Sequence, residues 1–171
     1  MPGACSAPSS SSGEEAASFA SGFDTAWLDF TKGLGAPVGA CLAGSRELID
    51  EAWRYKQMLG GALRQAGIVA AAGLYALDHH VERLAEDHAN ARALVEGLAS
   101  IDRVAVAPDE VETNIVLFDV ADAAALVDRL AAEGVEMSRF GPTRVRAVTH
   151  LDVDRAGIDR ALVAVRDALR G

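Results

Sequence analysis

Lysine is nearly missing. Of the 16 basic residues in this 171-residue chain, only Lys32 and Lys56 are lysines. Cysteine is as scarce: Cys5 and Cys41 form no metal-binding or redox spacing and no disulfide framework, which points to a reducing, cytoplasmic setting. No metal site is expected. Cys41 lies in an apolar run and is expected to be buried. Aromatic residues make up only 5% of the chain, so a core must be built from Ala, Val and Leu. With 50% hydrophobic residues there is material for one core, or for one domain and part of another. Acidic residues outnumber basic ones, 25 to 16, for a net charge of -9. The arginines form no stripe, which argues against nucleic acid as a partner. No apolar run approaches the length of a membrane span. The start of the chain lacks the charged and apolar regions of a secretory signal.

What is present begins with a polar segment. Residues 1–21 are rich in Ser, Ala, Gly and Pro and read as disordered or remodelled, with a short helical turn at 14–19. Two apolar runs follow, 26–30 and 38–43. Each reads as a strand, the first mostly buried. Ser45 is placed to cap a helix over RELIDEAWRYKQM that stops at Gly60-Gly61. From Ile68 to about Ala99 the pattern is helical throughout. IVAAAGLYAL is apolar nearly all round, so it is expected to be buried on several sides, with Gly73 admitting a close neighbour. The helix then turns amphipathic, with Val81, Leu84, His88, Ala91, Leu94 and Leu98 as its stripe.

The remainder predicts a small α/β unit with a mixed or antiparallel sheet and helices on one face. Strands are expected at 103–107, 113–120, 135–138 and 144–149. Helices are expected at 121–133, closed by Gly134, and at 155–170, capped by Asp154. In the strand at 144–149, Val145, Ala147 and Thr149 share one face; Arg144, Arg146 and Val148 share the other. The first half is harder to close. Two strands cannot cover the apolar helix that follows them. Either the rest of a larger domain or a partner chain is expected to cover it.

Lys32 is the residue whose placement calls for explanation. It leaves an apolar strand and enters a turn containing Gly33, Gly35 and Pro37. Lysine can condense with a carbonyl, and arginine cannot. On spacing alone a surface lysine snorkelling from a strand end is the favoured account, and a chemical role the alternative.

DFTKGLGAPVGACLAGSR, KQMLGGALRQAGIVAAAGLYAL, RLAEDHANAR and VRAVTHLDV resemble, in order, the second half of the low-specificity L-threonine aldolases. These β-eliminating lyases belong to fold type I of the pyridoxal-phosphate enzymes. The resemblance runs from Gly22 to the C-terminus. It implies an α/β fold: an incomplete large domain of the aspartate-aminotransferase-like fold over 22–78 and a small C-terminal α/β domain over 79–171, entered by a long helix. It implies pyridoxal 5′-phosphate as cofactor and cleavage of L-threonine, or a related β-hydroxy-α-amino acid, to glycine and an aldehyde. It also implies a homo-oligomer for the complete enzyme. By this resemblance Lys32 is the catalytic lysine that carries the cofactor. Arg64 lies near its phosphate, and Arg146 clamps the substrate carboxylate. His150 receives no catalytic role.

The chain departs from the pattern at Ala62, Leu63 and Gln57. No position matches the phosphate-binding turn, the stacked histidine or the pyridine-binding aspartate of the family's first half, and neither Asp24 nor Asp29 fills that last role. The competing reading is a non-catalytic fragment acting only as an interaction or structural module.

Overall fold

The computed structural model describes residues 12–170, so most of the serine run and Cys5 lie outside the described residues. The chain divides into two compact units, Met1–Leu84 and Ala85–Gly171.

The first unit holds α1 (Ala16–Ala20), β1 (Thr25–Asp29), β2 (Ala40–Gly44), α2 (Arg46–Met58) and α3 (Ala66–His79). β1 and β2 pair antiparallel, with Thr25 opposite Gly44 and Asp29 opposite Ala40. The Ser45 hydroxyl caps α2 by accepting the Leu48 amide at 3.3 Å. Gly60, at φ +77°, ends the turn after α2 in the left-handed region, where a Cβ would be strained. The core is small: Leu34, Ala36, Ala76 and Leu84, with Leu28 and Phe30 packed against it. Gly73 receives the Phe30 ring, whose nearest carbon lies 3.4 Å from where a Cβ would stand.

Four expectations fail here, three of them for one reason: little apolar neighbour surface lies within this unit. β1 is half-exposed rather than mostly buried. Only Gly73 and Ala76 of α3 are buried, while Ile68 is 75% and Leu74 62% exposed. Cys41 is an exposed free thiol on β2, not a buried one. The fourth failure is the single long helix. It is broken at 80–83, and α4 (Leu84–Ala99) starts afresh. Unbroken, a helix would hold Ala76 and Leu84 about 12 Å apart along its axis. Both instead contribute to the one small core, and the His-His-Val sequence at the break has low helix propensity.

The second unit takes in α4 from Ala85 on, then β3 (Ile115–Asp119), α5 (Ala123–Ala132), β4 (Ser138–Arg139), β5 (Arg144–Val148) and α6 (Arg155–Arg170). Its antiparallel sheet runs in the order β3-β5-β4. Val116 pairs with Ala147 and Phe118 with Val145, and all four are buried. Leu94, Val95 and Leu98 of α4, Leu126 and Leu130 of α5, and Ile158 and Val165 of α6 complete this core. Asp122 and Asp154 cap α5 and α6, accepting the Ala125 and Gly157 amides at 3.0 and 2.7 Å. Gly134 closes α5 at φ +72°.

Two expected strands shrink. The stretch 103–107 supplies only one bridge, Ala105 to Asp119, because Arg103 takes a positive φ of 71° and Pro108 ends the run. The strand expected at 135–138 is reduced to Ser138–Arg139. Thr149 anchors the end of β5, its hydroxyl donating to the Asp87 carbonyl at 2.6 Å.

Candidate active-site residues

The Lys32 loop joins β1 to β2 and is built from its own backbone. The Phe30 amide donates to Gly39, the Ala36 amide to Phe30 and the Gly35 amide to Lys32, at 3.0, 2.8 and 2.9 Å. Asp29 starts the turn, its carboxylate accepting the Thr31 amide at 2.7 Å and hydroxyl at 2.6 Å. These hydrogen bonds, led by the Thr31 hydroxyl, hold the Asp29 carboxyl below its ordinary value; the positive charge of Lys32 adds to the effect. Asp29 is therefore a turn residue. The Leu34 side chain plugs the core at 1% exposure while Lys32 stays exposed. Among the described residues the Lys32 amine has no hydrogen-bond or ion-pair partner. The loop thus has a buried plug and an open amine two residues apart.

The other lysine is differently placed. Lys56 lies over the Trp53 ring on α2, 4.7 Å from its centroid.

Arg64 is exposed, in the connection that leads into α3. The helix begins at Ala66, two residues after Arg64, with no side-chain cap from Gln65, so its first amides keep their partial positive charge. Like Lys32, Arg64 has no side-chain partner among the described residues. A phosphate dianion fits that pair of donors.

Arg146 belongs to the second unit, on the central strand β5, facing away from the helices. Leu117 and Ser138 are its cross-strand neighbours. Arg144, two residues before it on the same face, binds Asp119 with its Nη2 2.7 Å from Oδ2 and its Nε 3.2 Å from both oxygens. That pairing, together with the Thr143 hydroxyl, holds the Asp119 carboxyl below its ordinary value. Arg146 has no such partner among the described residues. The sequence places two arginines on this face; the structure commits one and leaves the other open to an external carboxylate. Asp119 is what separates them, and its pairing becomes visible only through the β3–β5 register.

His150 bonds locally, its Nδ1 accepting the Asp152 amide at 3.2 Å. Sequence reasoning missed His80, whose Nδ1 lies 2.6 Å from the Leu34 carbonyl across 46 positions. No local pattern signals such a contact. Among the described residues no cluster of three or more His, Cys, Asp or Glu side chains could hold a metal ion. No helix among them is long and apolar enough to cross a membrane.

Comparison with known proteins gives a consistent result. The profile of the β-eliminating lyase family matches residues 4–123. The low specificity L-threonine aldolase of Escherichia coli K12 is 43% identical over 134 residues, covering 77% of this chain and 39% of that protein. The low-specificity L-threonine aldolase 1 of Arabidopsis thaliana is 32% identical over 151 residues, covering 85% and 42%. The chain thus spans about two-fifths of the length of these curated relatives.

Among solved structures, a protein of Listeria monocytogenes EGD-E assigned as an L-allo-threonine aldolase superposes with a TM-score of 0.74 at 22% identity. That match covers 96% of this chain and 48% of the other. An Exiguobacterium protein assigned as an aromatic amino acid β-eliminating lyase/threonine aldolase gives 0.76 at 21%, covering 95% and 50%. The fold is accordingly α/β, a part of the fold shared by fold-type I enzymes. The family match, over residues 4–123 and so across most of the sequence, shows that this chain belongs to the β-eliminating lyase family.

Proposed function

We propose that this chain is the lysine-bearing portion of a pyridoxal-phosphate-dependent aldehyde-lyase, a threonine aldolase. It would cleave the Cα–Cβ bond of L-threonine or a related β-hydroxy-α-amino acid, giving glycine and an aldehyde. The observation that carries this reading is the Lys32 loop: a primary amine held exposed, with no hydrogen-bond or ion-pair partner among the described residues, two residues from a buried anchor. The identity to threonine aldolases supports the substrate class.

The donor set fits the cofactor. Lys32 would hold its aldehyde, and Arg64 with the open end of α3 would hold its phosphate. When bound, pyridoxal 5′-phosphate supplies the electron sink that Cα–Cβ cleavage needs. Arg146 supplies a planar pair of donors for the α-carboxylate. Fixing the carboxylate sets the rotation about Cα and hence which bond is presented for cleavage. Arg144, occupied by Asp119, takes no part.

In this reading residues 22–78 are part of the cofactor-binding large domain and 79–171 the small domain, close to the division into compact units at Leu84 and Ala85. The complete enzyme is a homo-oligomer in the cytoplasm. The isolated chain should turn over slowly, because the family's pyridine-binding aspartate and stacking histidine have no counterpart in it.

A second reading, a non-catalytic interaction or structural module, draws on one observation: α3 exposes Ile68, Leu74 and Tyr75, which nothing among the described residues covers.

The test is an absorbance titration of the purified chain with pyridoxal phosphate, followed by borohydride reduction and mapping of the modified residue. With two lysines in the sequence the answer is nearly binary. Saturable absorbance with the label on Lys32, lost in Lys32→Ala, supports the enzyme reading. Label confined to Lys56, or none at saturation, removes it and favours the module.

A further inference from the structure

We propose that His80 is a positioning residue for Lys32; the inference rests on the cofactor-lysine reading above. One carbonyl of the loop is reached by a side chain from outside it. Phe30, Lys32 and Gly39 accept bonds within the loop, whereas the Leu34 carbonyl receives the His80 imidazole at 2.6 Å. A carbonyl only accepts, so Nδ1 carries the proton and donates.

The other end of the helix break acts on the same loop. A Cβ on Gly33 would stand 2.7 Å from a methyl of Leu84. His80 and Leu84, which bracket the break between α3 and α4, therefore hold Leu34 and Gly33, the two residues that directly follow Lys32. The break is the device that lets one short stretch reach both. The Lys32 amine stays outside, on a backbone tied from behind. His79 is exposed and stacks on Tyr75 at 4.3 Å, without touching the loop by any hydrogen bond among the described residues.

The test compares His80→Ala, His80→Asn and His79→Ala in the full chain. Asparagine places an amide N–H close to where Nδ1 donates. The first readout is hydrogen exchange of the Gly35 and Ala36 amides by NMR. His80→Ala should speed it by about tenfold, with His80→Asn and His79→Ala near wild type. The second readout is the share of borohydride-trapped pyridoxal phosphate found on Lys32 rather than Lys56. It should fall in His80→Ala and recover in His80→Asn.

Unchanged exchange in His80→Ala, or His80→Asn no better than a folded His80→Ala, overturns the proposal. Should His80→Ala not fold, His80→Asn decides: wild-type exchange and labelling support the tether, and faster exchange in a folded protein overturns it. The two readings fail separately. Label on Lys32 with unresponsive exchange removes the tether alone. Responsive exchange with no Lys32 label in the wild type removes the cofactor reading, and the positioning role with it.

Discussion

Adding one methyl group to the lysine loop tests how tightly it is held. Gly33 lies outside the left-handed φ region, so Gly33→Ala carries no backbone strain. On unfolded-state entropy alone, alanine there would stabilise by about 0.4–1 kcal/mol. The new Cβ, however, would come within 2.7 Å of a Leu84 methyl. Leu84 is 3% exposed and enclosed by Leu34, Ala36 and Ala76, so it has little room to turn away. Overpacking of this kind costs roughly 1–3 kcal/mol. The clash should win, leaving a net loss of up to about 2.6 kcal/mol.

Leu84→Ala alone should cost about 2–5 kcal/mol. In that background the methyl enters the vacated space, and Gly33→Ala should become neutral or stabilising, a coupling of about 1–3 kcal/mol. Urea titration followed by tryptophan fluorescence reads the correct unit, since Trp27 and Trp53 are the only tryptophans and both lie in Met1–Leu84. A midpoint raised by Gly33→Ala with Leu84 intact, or the same loss in both backgrounds, would refute the packing described for this loop.

Three further outcomes are expected. Arg146→Ala should leave stability within about 0.5 kcal/mol of wild type, because nothing among the described residues pairs with it. In any assembly that cleaves L-threonine the same change should lower kcat/KM by about 100-fold or more, whereas Arg144→Ala should not; steady-state kinetics separate the two arginines. His88 is partly buried, with Nε2 enclosed and unpartnered, and burial lowers its pKa from 6.5. The unfolded chain then takes up the proton first as pH falls, so stability from this residue is present above pH 6.5 and is lost below it. Thermal melts from pH 7.5 to 5.5 should show the loss, and His88→Leu should flatten it. Thr149→Val removes the buried hydroxyl that donates to the Asp87 carbonyl; it should cost about 1–3 kcal/mol, read by circular dichroism and by hydrogen exchange in β5.

Much of the second unit was legible from local pattern. The alternation of Val145, Ala147 and Thr149 against Arg144, Arg146 and Val148 reports which face is buried, since successive side chains of a strand point opposite ways. Ser45 and Asp154 cap helices as expected because capping needs only residues within one turn. The turn chemistry of Gly33, Gly35 and Pro37 is likewise a property of a few consecutive residues.

What only the tertiary structure decided depends on residues far apart in the chain. The apolar IVAAAGLYAL segment has the composition of a buried helix, yet burial requires neighbours, and its own unit supplies them only at Gly73 and Ala76. Helical periodicity runs through His80, whereas the helix stops there and the imidazole turns to the Leu34 carbonyl, 46 positions away. Arg144 and Arg146 are equivalent in sequence; Asp119, brought opposite Arg144 by strand register, occupies one and leaves the other open. Spacing along the chain sets which side chains share a face. Which of them remain available for chemistry is set by partners that only folding brings within reach.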